Sequence, residues 1–399
     1  MNKVIILFFA LFLLTNAFAK SEFSGIEDIS IQISKELGYI VDEKKILQKI
    51  DQLAEEIRKE SKNKEDIPDL IIKKIYSLPL NKSIKVIFPE EEGLLPFLIS
   101  NGAGNCFSYS VLFLTLGEKL GVNFTPILIP GHVYLRHNKR NIETTLDGKD
   151  ISDKNIANLL YLDFRKTLFI SASRNQFISG LYSNACIIAA YKGDLQKGIE
   201  YCDLAIKYNA NNGEAFINRS FIEGAKGLSD QSLEDAKQGV RIYPQLGHAY
   251  FTLGNAYKRL KKIDEAVGAL KKSIEIRPNI FRVHYNLGNI YLDQSKLKNA
   301  ISSYSESIRL NPEYEGAYLN RAIAHSMSKN YLQAIKDYTF LINKDPRNFD
   351  VIYERGKSYY SLKKYQLALK DFELLQQKFA EKAKQEGIEQ IIIELNKIK

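Results

Sequence analysis

The second half of the chain repeats with a period of 34 residues, marked by Pro244, Pro278, Pro312 and Pro346. A fixed period of this length predicts stacked supersecondary units, because one unit alone cannot bury its apolar face. Other residues return at constant offsets between the prolines, for example Tyr250, Leu253, Gly254, Tyr257, Ala266 and Leu270. Proline cannot continue a helix, so each one ends the second helix of a unit. The pattern predicts an all-α solenoid of helical hairpins.

The order of these residues resembles the tetratricopeptide repeat (TPR) family. Gly254, Gly288 and Gly356 stand where the two helices of a hairpin touch, and Ala266 is one of the small partners on the second helix. The resemblance implies an all-α TPR superhelix whose terminal repeats are less regular. The six repeats are assigned to residues 179–212, 213–246, 247–280, 281–314, 315–348 and 349–382, and residues 383–399 to a C-terminal capping helix.

One face of the first helix in each repeat is the predicted partner-binding surface. If Tyr250, Leu253 and Gly254 are buried, the residues at neighbouring offsets share another face of that helix. These positions carry aromatic, amide, apolar and lysine side chains: Phe251, Asn255, Lys258, Tyr285, Asn289, Leu292, Leu319, Ile323, Tyr353, Lys357 and Tyr360. On the concave side of a superhelix they suit a protein or peptide partner. The alternative is that some of them pack on adjacent helices.

Residues 1–19 have the features of a secretory signal peptide. Lys3 precedes the apolar run Val4–Leu14, and Ala17-Phe18-Ala19 supplies an A-x-A cleavage site. The run is shorter than the roughly 20 apolar residues that a membrane-spanning helix needs. We therefore expect cleavage near Ala19 and an exported, periplasmic or secreted chain. The alternative is an uncleaved anchor, and we expect contact with a membrane only in that case.

Charge and histidine placement narrow the classes of partner and cofactor. The net charge is +9, but lysine and glutamate are interspersed and no arginine stripe with interleaved aromatic residues stands out. This distribution does not indicate nucleic-acid binding. The five histidines form no cluster with metal-ligand spacing, so we expect no metal site. Gly102-Ala103-Gly104 lacks the Lys-Ser/Thr of a phosphate-binding loop, and we expect no cofactor.

The first half is predicted to have three parts. Residues 20–84 form a helical N-terminal segment, residues 85–150 an α+β core, and residues 151–178 a helical connector to the repeats. In the core, Asn105 is placed to cap a buried helix that begins at Cys106. The thiol then lies in the first helical turn, where the positive end of the helix dipole stabilises a thiolate.

Beyond this helix the sequence predicts a strand and a hairpin, over Phe124–Ile129, His132–Arg136 and Asn141–Leu146. If Val133 and Leu135 pack inward, alternation puts His132 and Glu143 together on the other face, as direct or diagonal neighbours. Glu143 would orient one imidazole nitrogen and leave the other facing Cys106. The other four histidines lie in the repeats or at the hairpin tip, so only His132 is placed for this role.

Short motifs resemble the transglutaminase-like superfamily, whose members are related to papain-like thiol hydrolases: Gly104-Asn105-Cys106 at the start of the core helix, Leu116-Gly117 and Leu120-Gly121 at its end, Pro130-Gly131-His132 and Glu143-Thr144-Thr145. The resemblance implies that Cys106 is the nucleophile, His132 the general base and acid, and Glu143 the orienting carboxylate. It also implies a thioester with a carboxamide or peptide carbonyl, resolved by water or an amine. At the position of the orienting carboxylate, Asp is commoner than Glu in that superfamily. The backbone N–H of Cys106 and an amide at Asn101 are candidate oxyanion donors.

The remaining two of the three cysteines, Cys186 and Cys202, lie on the two helices of the first repeat. They are either two small buried residues or a disulfide, and Cys106 has no obvious partner in either case. Two functions remain open. One is an exported thiol hydrolase or acyltransferase whose repeats hold a protein substrate. The other is a non-catalytic protein-interaction or assembly scaffold in the cell envelope.

Overall fold

The computed structural model describes residues 24–38, 41–77, 106–130, 132–144, 148–159 and 169–398. The chain is mostly helical, with a small sheet near its N-terminal end and a long run of TPR-like helices. The predicted fold classes, an α+β domain and a TPR superhelix, are therefore confirmed. The predicted signal peptide, Asn101 and Asn105 lie outside the described residues. The chain divides into two compact units, Met1–Thr252 and Leu253–Lys399.

The first unit begins with four helices: α1 (Ile26–Glu36), α2 (Glu43–Glu60), α3 (Ile67–Ser77) and α4 (Cys106–Leu120). Asp42 caps α2, because its carboxylate accepts a hydrogen bond from the Lys45 N–H at 3.0 Å. Helix α4 is apolar on nearly every side and is buried along most of its length. It ends at Leu120, and the next residue, Gly121, has a φ of 70°, a left-handed conformation that glycine adopts without strain.

Four antiparallel strands form one sheet in the order β3-β2-β1-β4, with β1 at Thr125–Ile129, β2 at His132–His137, β3 at Arg140–Ile142 and β4 at Ile170–Ser171. The hairpin register pairs Leu135 with Ile142. Val133, Leu135 and Ile142 join the core around α4. Tyr134 packs on the opposite face with Ile127, against helix α5 (Asp153–Leu159). Both faces of the central strands are therefore covered.

The prediction of a helical connector over residues 151–178 is wrong in part. Among the described residues of this segment, 151–159 and 169–178, α5 and the residues from Arg174 onward are helical, whereas Ile170 and Ser171 pair with Leu128 and Ile127 of β1. The outer edge of β1 carries backbone N–H and C=O groups that need partners, and strand β4 supplies them. The last residues of the segment already belong to the first repeat helix, which begins at Arg174 behind a capping box formed by Ser173 and Gln176.

The repeat helices of the first unit are α6 (Arg174–Tyr191), α7 (Leu195–Tyr208), α8 (Gly213–Ala225) and α9 (Ser229–Ile242), and the unit ends within α10 (Gly247–Arg259). Cys186 and Cys202 form a disulfide between α6 and α7, which resolves the alternatives left by the sequence. All three cysteines are among the described residues, and Cys106 is the free one.

The second unit continues the helical hairpins with α11 (Ile263–Ile276), α12 (Phe281–Asp293), α13 (Leu297–Leu310), α14 (Glu315–Met327), α15 (Tyr331–Lys344), α16 (Phe349–Ser361), α17 (Tyr365–Lys378), α18 (Ala380–Gln385) and α19 (Ile388–Lys397). A Cβ added at Gly288 would lie 2.6 Å from the ring of Tyr304, and one at Gly254 2.8 Å from Leu270. The glycines thus make room for a large side chain of the second helix as well as for its backbone.

Within the part of the chain that the structure describes, no helix combines the length and the apolar character needed to cross a membrane.

Candidate functional site: a cysteine, a histidine and a glutamate at the start of helix α4

Cys106 is the first residue of α4 and is partly exposed. Its carbonyl oxygen accepts a long hydrogen bond from Thr144 Oγ1 at 3.5 Å. The carbonyl oxygen of Thr144 in turn accepts a hydrogen bond from the Tyr76 hydroxyl at 2.7 Å. Thr144, directly after Glu143, therefore connects the end of α3 to the first turn of α4. This connection holds the glutamate-bearing segment beside the cysteine.

His132 and Glu143 contact each other directly. The His132 Nε2–H donates to Glu143 Oε2 at 2.7 Å, and the two side chains are only 10% and 4% exposed. One step beyond the Leu135–Ile142 pair, the register sets Tyr134 opposite Glu143, so His132 is the diagonal neighbour of the carboxylate. A short charge-assisted hydrogen bond in such a buried place fixes the orientation of the imidazole ring.

The charge state of His132 depends on Cys106 as well as on Glu143. Burial alone disfavours the charged ring, but the charge of Cys106 and hydrogen bonds with Cys106 and Glu143 outweigh it and raise the pKa of His132 to about 10. Because Glu143 occupies Nε2, Nδ1 is the ring nitrogen left to exchange a proton with the thiol. The three side chains of the sequence-predicted site therefore lie together. The fourth candidate, Asn101, is outside the described residues.

Backbone hydrogen bonds hold Glu143 in place. Its N–H donates to the Lys149 carbonyl at 3.0 Å, and its carbonyl accepts from the Gly148 N–H at 3.1 Å. These bonds join Glu143, the residue after β3, to Gly148 and Lys149. The carboxylate therefore projects from a fixed backbone toward His132.

A second group of polar side chains braces the same hairpin, and sequence reasoning missed it. Asp153 Oδ1 accepts hydrogen bonds from the Tyr134 hydroxyl at 2.6 Å, from Arg136 Nη2 at 2.6 Å and from Asn141 Nδ2 at 2.8 Å. Burial raises the pKa of Asp153, but these three donors and the Arg136 charge outweigh burial and lower it. Strand alternation places Tyr134 and Asn141 on the same face as His132, and this pattern could have indicated the group from the sequence. The partner on α5 was not readable from the sequence.

The predicted partner-binding surface is divided between exposed and internally bonded residues. In the second unit, Asn286 Nδ2 donates to Asn255 Oδ1 at 2.7 Å, and Asn320 Nδ2 donates to Asn289 Oδ1 at 2.8 Å. These amides join the first helices of successive repeats, as the packing alternative anticipated. Other members are engaged with neighbouring rings, namely Tyr285 with Tyr304 and Tyr314, and Tyr353 with Phe349 and Phe372.

The exposed members of this surface are Leu319, Lys357 and Tyr360, and the half-buried ones include Phe251, Lys258, Leu292 and Ile323. Phe251 belongs to the first unit, where its ring lies 5.8 Å from that of His248. Among the described residues, no group of three or more His, Cys, Asp or Glu side chains is arranged to hold a metal ion.

Comparison with protein families agrees with both parts of the chain. The model of the transglutaminase-like superfamily matches residues 44–160, which include Cys106, His132 and Glu143. Two TPR models match residues 254–295 and 281–314. The chain therefore carries a transglutaminase-like domain followed by TPR repeats. The match begins within α2, so at least part of the helical N-terminal segment belongs to the same domain.

One curated relative is the small glutamine-rich tetratricopeptide repeat-containing protein 2 of Mycosarcoma maydis, 37% identical over 76 residues. That stretch is 19% of this chain and 22% of the relative, so the likeness is confined to a short region.

Several solved TPR structures are also similar. PilF of Pseudomonas aeruginosa is 15% identical, with 51% of this chain and 92% of that chain covered at a TM-score of 0.46. PilW, described as a widely conserved type IV pilus biogenesis factor, is 17% identical, with 51% and 94% covered at 0.46. MamA is 23% identical, with 40% and 93% covered at 0.36.

Proposed function

We propose that this protein is an exported thiol enzyme that forms a thioester at Cys106 with a protein or peptide substrate and passes the acyl group to water or an amine. The observation that carries the proposal is the short His132 Nε2–Glu143 Oε2 hydrogen bond beside the one free cysteine, at the start of a buried helix. A thiol, a base and an orienting carboxylate are the groups that nucleophilic acyl transfer requires. The TPR repeats supply a surface for the protein substrate.

The reaction would proceed in two balanced halves. The Cys106 thiolate attacks the substrate carbonyl carbon, a C–S bond forms, and the His132 Nδ1–H gives its proton to the departing nitrogen as the C–N bond breaks. Water or an amine then loses a proton to His132 and attacks the thioester, and the C–S bond breaks to return the thiolate. Glu143 keeps its hydrogen bond to Nε2–H throughout, which stabilises the charged ring. The backbone N–H of Cys106 is the proposed oxyanion donor.

The proposed thiolate is tested by the rate of iodoacetamide alkylation of Cys106 across pH. An ordinary thiol is only a few per cent ionised at pH 7, so a Cys106–His132 ion pair should react roughly tenfold or more faster there. His132→Ala should lose this advantage. Glu143→Gln, which keeps a hydrogen-bond acceptor but removes the charge, should lose part of it. Equal, slow alkylation in wild type and His132→Ala would refute the ion pair.

Turnover needs a separate measurement. Peptides that contain glutamine would be incubated with the protein, with and without a primary amine. The masses of the products would then be measured by mass spectrometry. Amine incorporation identifies a transferase, and conversion to glutamate identifies a hydrolase. Cys106→Ala is the control. If Cys106 is alkylated rapidly but neither product forms, Cys106 is a reactive thiol. The proposal of acyl transfer from a carboxamide is then wrong for glutamine-containing peptides.

Export is the second part of the proposal. It is supported by the Cys186–Cys202 disulfide, since disulfides persist mainly in oxidising compartments. The test is the mass of the mature chain from the native host. A chain that begins near Lys20 supports cleavage of the signal peptide, whereas an intact Met1 in a membrane fraction supports an anchor instead.

The competing candidate is a non-catalytic scaffold. The observation in its favour is the length of the TPR region, which offers protein-binding surface independent of any thiol chemistry. A scaffold predicts that Cys106→Ala preserves every function of the protein in its host. Loss of function in a folded Cys106→Ala protein would exclude it.

A further inference from the structure

The residue after Cys106 packs against the first TPR helix. The ring of Phe107 lies with its centroid 5.6 Å from that of Phe177 on α6. A Cβ added at Gly180, one helical turn further along α6, would lie 2.3 Å from Phe107 Cζ and 2.4 Å from Cε1. Real Cβ atoms do not approach other atoms so closely, so the ring occupies space that only a glycine at position 180 leaves free.

This contact lies within an apolar core that the transglutaminase-like domain, called the thiol domain below, shares with the first repeat. Phe107 is 8% exposed and Phe177 is fully buried, and both belong to the same apolar cluster as Phe113 and Leu116 of α4 and Leu181 of α6. The ring therefore has little room to turn away. Interiors packed to this density transmit a displacement to their neighbours instead of absorbing it.

Polar contacts also fasten the first repeat to the start of the domain. Arg174 Nη1 donates to the Ser24 carbonyl at 2.8 Å, and the Tyr201 hydroxyl donates to Glu36 Oε2 at 2.9 Å. The Lys197 ammonium also lies 3.4 Å from Glu36 Oε2, the same oxygen that accepts from Tyr201. The two helices of the first repeat are thus held against α1 at several points. Of these two helices, α6 carries Phe177 and Gly180, which lie against Phe107 in the first turn of α4.

We propose that the first TPR repeat positions the nucleophile, with Gly180 as the positioning residue that acts on Cys106 through Phe107. The inference rests on the proposed thiol function. Cys106 and Phe107 are consecutive in the first turn of α4, so the thiol has His132 as its partner while the next side chain is held by α6. A ring pushed away from Gly180 would carry the first turn, and hence the thiol, out of register with His132.

The expected displacement is large enough to matter. A clearance of 2.3 Å must open by about 1 Å to reach an ordinary carbon–carbon contact. Misplacement by about 1 Å costs up to roughly a hundredfold in reactions that depend on geometry. The first repeat is therefore part of the thiol site and does more than recruit a substrate.

The test is the pH profile of iodoacetamide alkylation at Cys106 in the full chain carrying Gly180→Ala. We expect the rate at pH 7 to fall about tenfold and the profile to move toward that of His132→Ala. The double variant Gly180→Ala/Phe107→Leu should recover most of the rate, because the shorter leucine leaves room for the added methyl group. A general loss of packing would not show this recovery.

The matched control is Gly254→Ala, which adds a methyl group 2.8 Å from Leu270 in a hairpin of the second unit. It should lower the unfolding temperature but leave the Cys106 profile unchanged. If Gly180→Ala does not fold, Phe107→Leu alone decides the question. Its rate should fall, since leucine leaves the space beside Gly180 unfilled and the first turn of α4 loses that support, whereas in the double variant the added methyl group fills the same space.

The outcomes separate the two proposals. If folded Gly180→Ala has the wild-type pH profile of Cys106 alkylation, the positioning role is overturned while the thiol function stands. If Gly180→Ala does not fold, the same conclusion follows from a wild-type profile in Phe107→Leu. Slow alkylation that is equal in wild type and His132→Ala would overturn the thiol function, and the positioning role with it.

Discussion

At the scale of single residues, the charge on His132 is the property that depends most directly on the arrangement of Cys106 and Glu143. Its pKa is raised to about 10, because the interactions with Cys106 and Glu143 outweigh burial. We predict that the ring stays charged through pH 8 in wild type, as seen in the pH dependence of its NMR ring-proton shifts. In Cys106→Ala the ring should titrate at a lower pH. A wild-type ring that is neutral at pH 8 would contradict the ion pair.

The same shift predicts a pH dependence of stability. The folded-state pKa of His132 lies above the unfolded value of about 6.5, so its contribution is fully present below about pH 6.5 and is lost as the pH rises toward 10. The difference in unfolding temperature between wild type and His132→Gln should therefore narrow from pH 6 to pH 10. A difference that widens over this range would show that the ring is neutral in the folded protein.

Glu223 on α8 is a buried carboxyl group with an unusual environment. Burial, followed by the nearby Asp235 charge, raises its pKa to about 7, and Oε2 has no hydrogen-bond partner among the described residues. A raised carboxyl pKa stabilises the fold at low pH, and this contribution is lost as the pH rises through 7. We predict that Glu223→Gln is roughly 1 kcal/mol more stable than wild type at pH 8 and no more stable at pH 5, as measured by urea unfolding.

At the scale of helices, arginine–aspartate pairs join the two helices of some repeats, whereas other repeats carry uncharged residues at these positions. Arg321 Nε and Nη2 donate to Asp337 at 2.8 and 2.7 Å, and Nη1 reaches back to Ser305 of the preceding repeat. Arg219–Asp235 and Arg355–Asp371 have the same geometry. The equivalent positions in the other three repeats are Ala185 with Tyr201, Leu253 with Ala269, and Leu287 with Ser303. Different solutions to the same packing problem therefore occur along the array.

These natural alternatives define a double-mutant experiment. Asp337→Ala leaves Arg321 half-buried without its carboxylate and should cost roughly 3 kcal/mol of unfolding free energy. The double variant Arg321→Leu/Asp337→Ala reproduces the Leu253–Ala269 pair and should recover most of that loss. The measurement is urea unfolding of the four proteins in the cycle. A double variant that is less stable than Asp337→Ala would show that the charged pair itself is required.

The turns between paired helices show a regularity that sequence reasoning did not find. Residues 34 positions apart adopt a left-handed conformation in every repeat: Gly193, Gly227, Lys261, Ser295, Lys329 and Lys363. Glycine adopts positive φ without cost, but lysine and serine do not. The sequence therefore did not indicate these turns, because only the first two repeats have glycine at the position with positive φ.

At the scale of the whole molecule, the first repeat and the thiol domain share one core. The apolar cluster includes Ile31 of α1, Leu112 of α4 and Phe177 of α6. We predict that residues 20–173 expressed alone fail to fold cooperatively, since Phe107 and its neighbours would be exposed. Residues 20–259, which keep α6 to α10, should fold and retain alkylation of Cys106. Circular dichroism melting curves of both fragments are the measurement, and cooperative folding of the shorter one would contradict the shared core.

Much of the architecture was predictable because it depends on local rules. The period of the prolines and the apolar surface of α4 each indicate an element without knowledge of its neighbours. Strand alternation also anticipated that His132 and Glu143 share a face. Strand β4 and the bond from Asp153 to Tyr134 were missed, because each joins segments whose pairing depends on the folded backbone.

The sequence by itself therefore determined the two fold classes, the order of the nucleophile, base and acid candidates, and the repeat period. Only the tertiary structure decided that Cys186 and Cys202 are bonded, that Asn255 and Asn289 join successive repeats, and that Gly180 lies under the ring of Phe107. The physical reason is distance along the chain. Periodicity and capping act over a few residues, whereas these contacts form between side chains whose approach is set by the packing of whole helices.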